Sequence, residues 1–190
     1  MLLSDAMRLA ECAQKADVEV KLRLVEDSVH VYAIFPFLPV SARRQNELDA
    51  ASHALAAKNI EVLPVMNDLG AAAATGAEDL VRRVLERFGT IDLLVNNAGT
   101  VWGATAVGHS PEAWKKVMGL NVDACFFVAR EVAQRSMIPN KSGKVINIAS
   151  IAGLGGPRPD GKLFAVAYNT SKGALITLTQ ALATEGVSTT

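Results

Sequence analysis

From residue 40 onward, apolar positions fall into two alternating patterns: short solid runs, and longer stretches in which they return every three or four residues. Ile60 to Met66, Ile91 to Val95 and Val145 to Ile148 are short runs bounded by turn residues, as expected of strands covered on both faces. Between them, Glu47 to Lys58 is alanine-rich, and Leu80, Val81, Val84, Leu85 and Phe88 recur at helical spacing until Gly89 stops the element. The alternation predicts an α/β fold, a doubly wound parallel sheet with crossover helices.

Ser110 before Pro111 is a helix start, a capping hydroxyl followed by a proline whose missing N–H costs nothing at the first position. The helix is predicted to run to about Ser136, with a stripe through Trp114, Val117, Cys125, Val128 and Val132. Asn121 falls within that stripe, so its amide must find partners. Periodicity alone leaves open a satisfied core asparagine or a functional one. The first 39 residues differ: Ser4 is placed to cap a helix to about Ala16, and Val18, Val20, Leu22 and Leu24 alternate with charged residues, predicting a half-exposed strand. Such a strand fits poorly as the fully covered centre of a parallel sheet.

The chain has 190 residues, 50% hydrophobic and 20% charged, enough to bury one sizeable core. Lys plus Arg and Asp plus Glu each total 19, so no charge excess recommends nucleic acid or an anionic membrane as partner. Cys12 and Cys125 lie far apart without CxxC spacing, which suits a reducing cytoplasm, and no metal site is expected. Val31 to Val40 is too short to span a bilayer and contains two prolines, and the N-terminus lacks the apolar core of a signal peptide.

Tyr168 and Lys172 are four apart in AYNTSKGALITLTQAL, a stretch of helical periodicity, so both side chains leave one face about a turn apart. A phenol with a pKa of ~10 is a poor base at neutral pH, and an adjacent ammonium favours the phenolate. KVINIAS reads as a strand ending at Ser150, which places a hydroxyl at the carboxyl edge of the sheet, where open α/β folds bind ligands. IDLLV runs likewise into Asn96, Asn97, Ala98 and Gly99, whose small residues permit close approach to backbone atoms.

In this order VNNAG, LNV, INIAS and YNTSK resemble the motifs of the short-chain dehydrogenase/reductase family. The resemblance implies Tyr168 as general acid/base, Lys172 as the residue that orients the nicotinamide ribose and lowers the tyrosine pKa, and Ser150 as the holder of the substrate carbonyl or hydroxyl. It implies Asn121 as the anchor of a water-linked proton relay. Asn97, Ala98 and Gly99 would approach the cofactor, and LPVMNDL is similar to the third strand and its turn, where Asp68 would meet the adenine and Leu69 line its pocket. At VSARRQNEL, Arg43 and Arg44 stand where an acidic side chain would accept from the ribose hydroxyls of NAD. A guanidinium pairs well with a phosphate, so NADP is the expected cofactor, with NAD as the alternative. The substrate would be a secondary alcohol or ketone, of 3-oxoacyl or sugar-alcohol type, and the helices at 111 to 136 and 165 to 185 resemble those that pair across family homo-oligomers.

The chain also departs from that pattern. All 14 glycines lie at or after Gly70, so the TGxxxGxG phosphate turn has no counterpart upstream, and the expectation is an incomplete sheet in a truncated or fused unit. GLGG at Gly153 to Gly156 follows the serine strand and is read as a substrate-side loop. Seventeen residues separate Ser150 from Tyr168, more than is usual in the family. Residues 1–39 resemble the C-terminal end of hormone-sensitive-lipase-like esterases, with His30 matching their histidine but no GxSxG nucleophile present. The expected organisation is thus an N-terminal segment over 1–39 and a partial Rossmann-like domain over 40–190. The strand at Val18 to Val25 is expected to fill the gap between the strands ending near Val40 and Val95, or to cap an edge.

Overall fold

The computed structural model describes residues 22–26, 49, 52–53, 56–57, 61–155 and 164–188. Arg43, the His30 region, the strand near Val40 and the helix expected from Ser4 lie outside the described residues. The chain divides into two compact units, Met1–Asp68 and Leu69–Thr190.

In the first unit, β1 (Leu22–Glu26) pairs in parallel with β2 (Val62–Met66), with Leu22 opposite Val62 and Glu26 opposite Met66. Parallel pairing needs a long crossover, which the intervening chain is long enough to provide. The N-terminal strand therefore takes the Val62–Met66 strand as its neighbour. Asp49, Ser52, His53 and Ala56 are helical, and the Ala57 N–H donates to the His53 carbonyl at 3.0 Å, as the alanine-rich crossover predicts.

The second unit begins with α1 (Ala73–Phe88), whose buried stripe includes Ala77, Leu80, Val81 and Val84. It ends at Gly89, where φ is +78°, a conformation that glycine adopts without strain, and the Gly89 N–H closes on the Leu85 carbonyl at 2.9 Å. Next come β3 (Leu93–Asn96), a loop, and one helical run of several segments: α2 (Pro111–Met118), a π-helical turn at Gly119–Asp123, α3 (Ala124–Val132), a second π turn at Ala133–Met137, and α4 (Ile138–Asn140). Ser110 caps it as predicted, its hydroxyl accepting from the Ala113 N–H at 3.2 Å. The straight α-helix expected to Ser136 is thus corrected: the run is wound wide in two places and continues to Asn140. π turns cost regular hydrogen bonding and concentrate where a side chain must be re-aimed; the first one carries Asn121.

β4 (Lys144–Asn147) lies parallel to β3, with Leu93 opposite Lys144 and Asn96 opposite Asn147. A 3-10 turn (Ile151–Gly153) and α5 (Val166–Ser188) complete the unit. α1 packs on α3, and α5 packs on α2, the first π turn and the 3-10 turn. Polar side-chain bonds tie these helices to the sheet. Asn96 donates to the Cys125 carbonyl at 3.2 Å and to Asn147 Oδ1 at 2.9 Å, and Asn147 Nδ2 donates to Thr179 Oγ1 at 2.9 Å. At the other end of β3, Ser136 Oγ accepts from the Ile91 N–H at 2.8 Å.

Strands β3 and β4 are not covered on both faces, contrary to what their apolar runs predict. Residues opposite one another in the ladder point to one side, and neighbours along a strand to opposite sides. Asn96 and Asn147 face the helices, so Leu93, Val95, Ile146 and Ile148 share the other face; Leu93 is 50% exposed and Ile146 44%. Within the second unit, α3 and α5 both reach the pair from the side of Asn96 and Asn147. Among the described residues, no helix is long and apolar enough to cross a membrane.

Candidate active site

The carboxyl ends of β3 and β4 deliver their following residues to the start of α5. After Asn96 the chain passes through Asn97 and Ala98, both half-buried, to Gly99 and Thr100, both buried. A Cβ on Gly99 would stand 3.2 Å from Asn121 Oδ1 and 3.7 Å from Lys172 Nζ, so this glycine lets the loop pass close to both side chains. Gly99, Asn121 and Lys172 therefore converge.

Asn121 is fully buried and fully occupied. Its Oδ1 accepts from the Thr100 N–H at 2.7 Å, and its Nδ2 donates to the Thr100 carbonyl at 2.9 Å and to Ser171 Oγ at 2.8 Å. The buried amide read from the apolar stripe has its partners, and they are 21 and 50 residues away in sequence. Thr100 and Ser171 carry no local signal for this contact, and the sequence reading missed both. Ser171, also fully buried, donates its own hydroxyl hydrogen to the Tyr168 carbonyl in a hydrogen bond of 2.7 Å.

Lys172 leaves the first turns of α5 and is buried, with Nζ donating to the Ile148 carbonyl at 2.7 Å and standing 5.8 Å from the centre of the Tyr168 ring. Tyr168 and Lys172 do share one helix face, as their spacing predicts. Burial pushes the Lys172 ammonium below its ordinary pKa, an effect that the neighbouring Cys125 thiol opposes. Burial in turn pushes the Cys125 thiol up to about 11, with Lys172 acting against it. An ammonium has three donors; among the described residues only one of them is used, so two remain for a ligand.

Ser150 follows β4 and opens the 3-10 turn, where its hydroxyl oxygen accepts from the Ala152 N–H at 3.2 Å. That turn lies hard against α5: a Cβ on Gly153 would meet the Lys172 carbonyl carbon at 2.5 Å and the Gly173 nitrogen at 2.6 Å. Gly153, read from sequence as part of a substrate-side loop, thus allows two backbones to touch. A cavity of about 610 Å³ opens nearby between Leu154, Phe164, Val166, Asn169 and Gly173, and Ser150, Tyr168 and Lys172 do not line it. Leu69 is buried at the start of the second unit; Asp68 is exposed at the end of the first.

The short-chain dehydrogenase family model matches residues 36–190. The chain belongs to the short-chain dehydrogenase family. Its relatives in that family include the 2-dehydro-3-deoxy-D-gluconate 5-dehydrogenase of Dickeya dadantii, 35% identical over 120 residues that make up 63% of this chain and 44% of the relative. Another is the rhamnolipids biosynthesis 3-oxoacyl-[acyl-carrier-protein] reductase of Pseudomonas aeruginosa, 36% identical over 140 residues, 72% of this chain and 52% of the relative. Among solved short-chain dehydrogenases, one from Burkholderia phymatum in complex with NAD superposes with a TM-score of 0.72 at 28% identity, over 92% of this chain and 54% of that one. NAD+-bound xylitol dehydrogenase gives 0.68 at 30% identity, over 76% and 53%. This short-chain dehydrogenase chain spans about half the length of the curated relatives it matches.

Proposed function

We propose that this chain carries the proton-handling half of an oxidoreductase site for reversible hydride transfer between NADP(H) and a secondary alcohol or ketone. The observation that carries the reading is the buried Lys172 ammonium beside the Tyr168 ring, held by the Ile148 carbonyl with two donors to spare. Those donors suit a vicinal diol such as a nicotinamide ribose. The residues present therefore fit the nicotinamide end of the cofactor, with Lys172, Tyr168, Asn97, Ala98 and Gly99 as its holders. When bound, the reduced nicotinamide supplies the hydride to the carbonyl carbon.

The chain's own residues then manage the oxygen. Ser150 has one lone pair committed to the Ala152 N–H and makes no donation among the described residues, so its proton is available to the carbonyl oxygen. The Tyr168 phenol gives its proton to that oxygen as the alcohol forms, and takes it back in the reverse direction. Lys172 stands beside the phenol, with Nζ 5.8 Å from the ring centre, where the Ile148 carbonyl holds it. Asn121 keeps the Gly99–Thr100 loop in place against α5.

The phosphate end is a different matter. The first 69 residues hold no glycine, and side chains would obstruct the approach of a pyrophosphate to backbone N–H groups. The preference for NADP rests on Arg43, and the roles of Asp68 and Leu69 at the adenine rest on their place after β2. The substrate class, 3-oxoacyl or sugar-alcohol, is supported by the names of the relatives. Calorimetric titration of the purified chain with NADPH and with NADH is the test. Saturable binding, tighter for NADPH, is the expected result, and no saturation at millimolar concentration of either would end the enzyme reading.

The missing glycines favour one second reading, a self-associating chain without turnover. Light scattering after size exclusion would show a dimer or larger species. A strictly monomeric folded chain would reject it.

A further inference from the structure

We propose that Ser171 is a positioning residue that locks the Asn121 amide in one orientation and fastens the Tyr168–Lys172 helix to the loop after β3. The inference rests on the reading above for its bearing on catalysis, but its geometry stands alone. A serine hydroxyl has one proton to give and two lone pairs to offer. The proton is committed to the Tyr168 carbonyl on its own helix, at 2.7 Å. Toward Asn121 the oxygen can therefore only accept, and it does, at 2.8 Å.

The Thr100 backbone demands the same orientation, so the two sets of bonds reinforce one another. With Nδ2 drawn to Ser171, the other Nδ2 proton reaches the Thr100 carbonyl at 2.9 Å and Oδ1 is left facing the Thr100 N–H at 2.7 Å. A flipped amide would set donor against donor at Thr100 N–H and leave Ser171 without a proton to accept. All three residues are 2% exposed or less, so water offers no substitute partner. One residue further along α5, Lys172 binds the Ile148 carbonyl at the end of β4. Consecutive side chains of the helix thus hold, through Asn121, the loop after β3 and, directly, the tail of β4, the two segments that bring Gly99 and Ser150 to the site.

The test uses the full chain with Ser171→Ala, Ser171→Val and Ser171→Thr; the last two match in shape and differ in the hydroxyl. Amide hydrogen exchange is followed by NMR at Thr100, with Val81 in α1 as the internal reference. Loss of the hydroxyl in the Ala and Val variants is expected to speed exchange at Thr100 about tenfold relative to Val81, the effect of one lost hydrogen bond. Ser171→Thr should restore it. Equal acceleration at both amides, or none at Thr100, would overturn the proposal, because a general loss of stability moves both together. In ketone reduction the Ala variant should lower kcat about tenfold with KM changed less than about twofold, as expected for lost transition-state alignment. A wild-type chain that binds no cofactor yet gives the local exchange response would sink the reductase reading and leave the fastening role of Ser171 intact.

Discussion

Replacing Asn121 by leucine keeps the side chain's size and branching nearly constant while deleting all its polar atoms, so the change isolates the value of the hydrogen-bonded amide. Three bonds are lost, to the Thr100 N–H, the Thr100 carbonyl and Ser171 Oγ, at 2.7, 2.9 and 2.8 Å. A hydrogen bond between neutral groups contributes about 1 kcal/mol net, but a buried donor or acceptor left without a partner costs about 1–3 kcal/mol. Ser171 keeps its bond to the Tyr168 carbonyl, so the main penalty falls on the two backbone groups of Thr100. Their sum, reduced for the hydrophobic gain of a buried leucine, gives about 3 kcal/mol of destabilisation. Because the three bonds share one side chain, the figure is for the network and is not divisible among them. Urea denaturation followed by circular dichroism would measure it as a fall in midpoint at constant slope. A loss below about 1 kcal/mol would refute the view that Thr100 depends on Asn121 for its partners.

Three other changes test separate parts of the structure. Gly153→Ala places a methyl 2.5–2.7 Å from backbone atoms of Lys172 and Gly173, whereas Gly173→Ala approaches no nearer than 3.1 Å, to the Gly153 carbonyl oxygen, so the first should destabilise the fold by about 1–3 kcal/mol of overpacking and lower the melting temperature clearly more than the second. The folded-state pKa of Lys172 is depressed by burial, so the folded form carries a charging penalty at neutral pH that is relieved as pH rises through that pKa toward the ordinary 10.5. Wild type should accordingly gain stability relative to Lys172→Met as pH rises toward 10.5, and a parallel or falling difference would count against the buried charge. Cys125 is buried with its thiol pushed up to about 11, so in a Cys12→Ser chain it should resist a thiol reagent at pH 8 until urea opens the fold. Prompt labelling in native buffer would contradict the packing of α3 on β3.

The sequence conveys the elements of the second unit well because their signals are local. The Ser110–Pro111 start, the Gly89 stop and the Tyr168–Lys172 spacing are each decided within a turn or two of chain, and the structure has all three. Asn121 shows how far this reaches: its place in an apolar stripe announces a buried amide, yet its partners come from segments distant in sequence. The π turn that holds it is equally invisible, since one extra residue per turn barely disturbs a hydrophobic period over so short a span. The open face of β3 and β4 was misjudged for another reason. Apolar runs report what a strand is suited to bury, not whether anything lies against it, and Leu93 and Ile146 have the composition of a covered strand without the cover. Gly153 is read as part of a loop because it follows the serine strand, and only the structure adds that the atom it lacks lets two backbones meet.

Asn147 grips α5 at Thr179, and Lys172 grips the strand end two turns earlier from the same stripe of that helix. Two anchors in line along a cylinder forbid it to roll about its axis. The direction in which Tyr168 points is consequently dictated by the strand ladder itself, and any ligand-driven rotation of that phenol must come from its own side-chain torsions instead of from the helix.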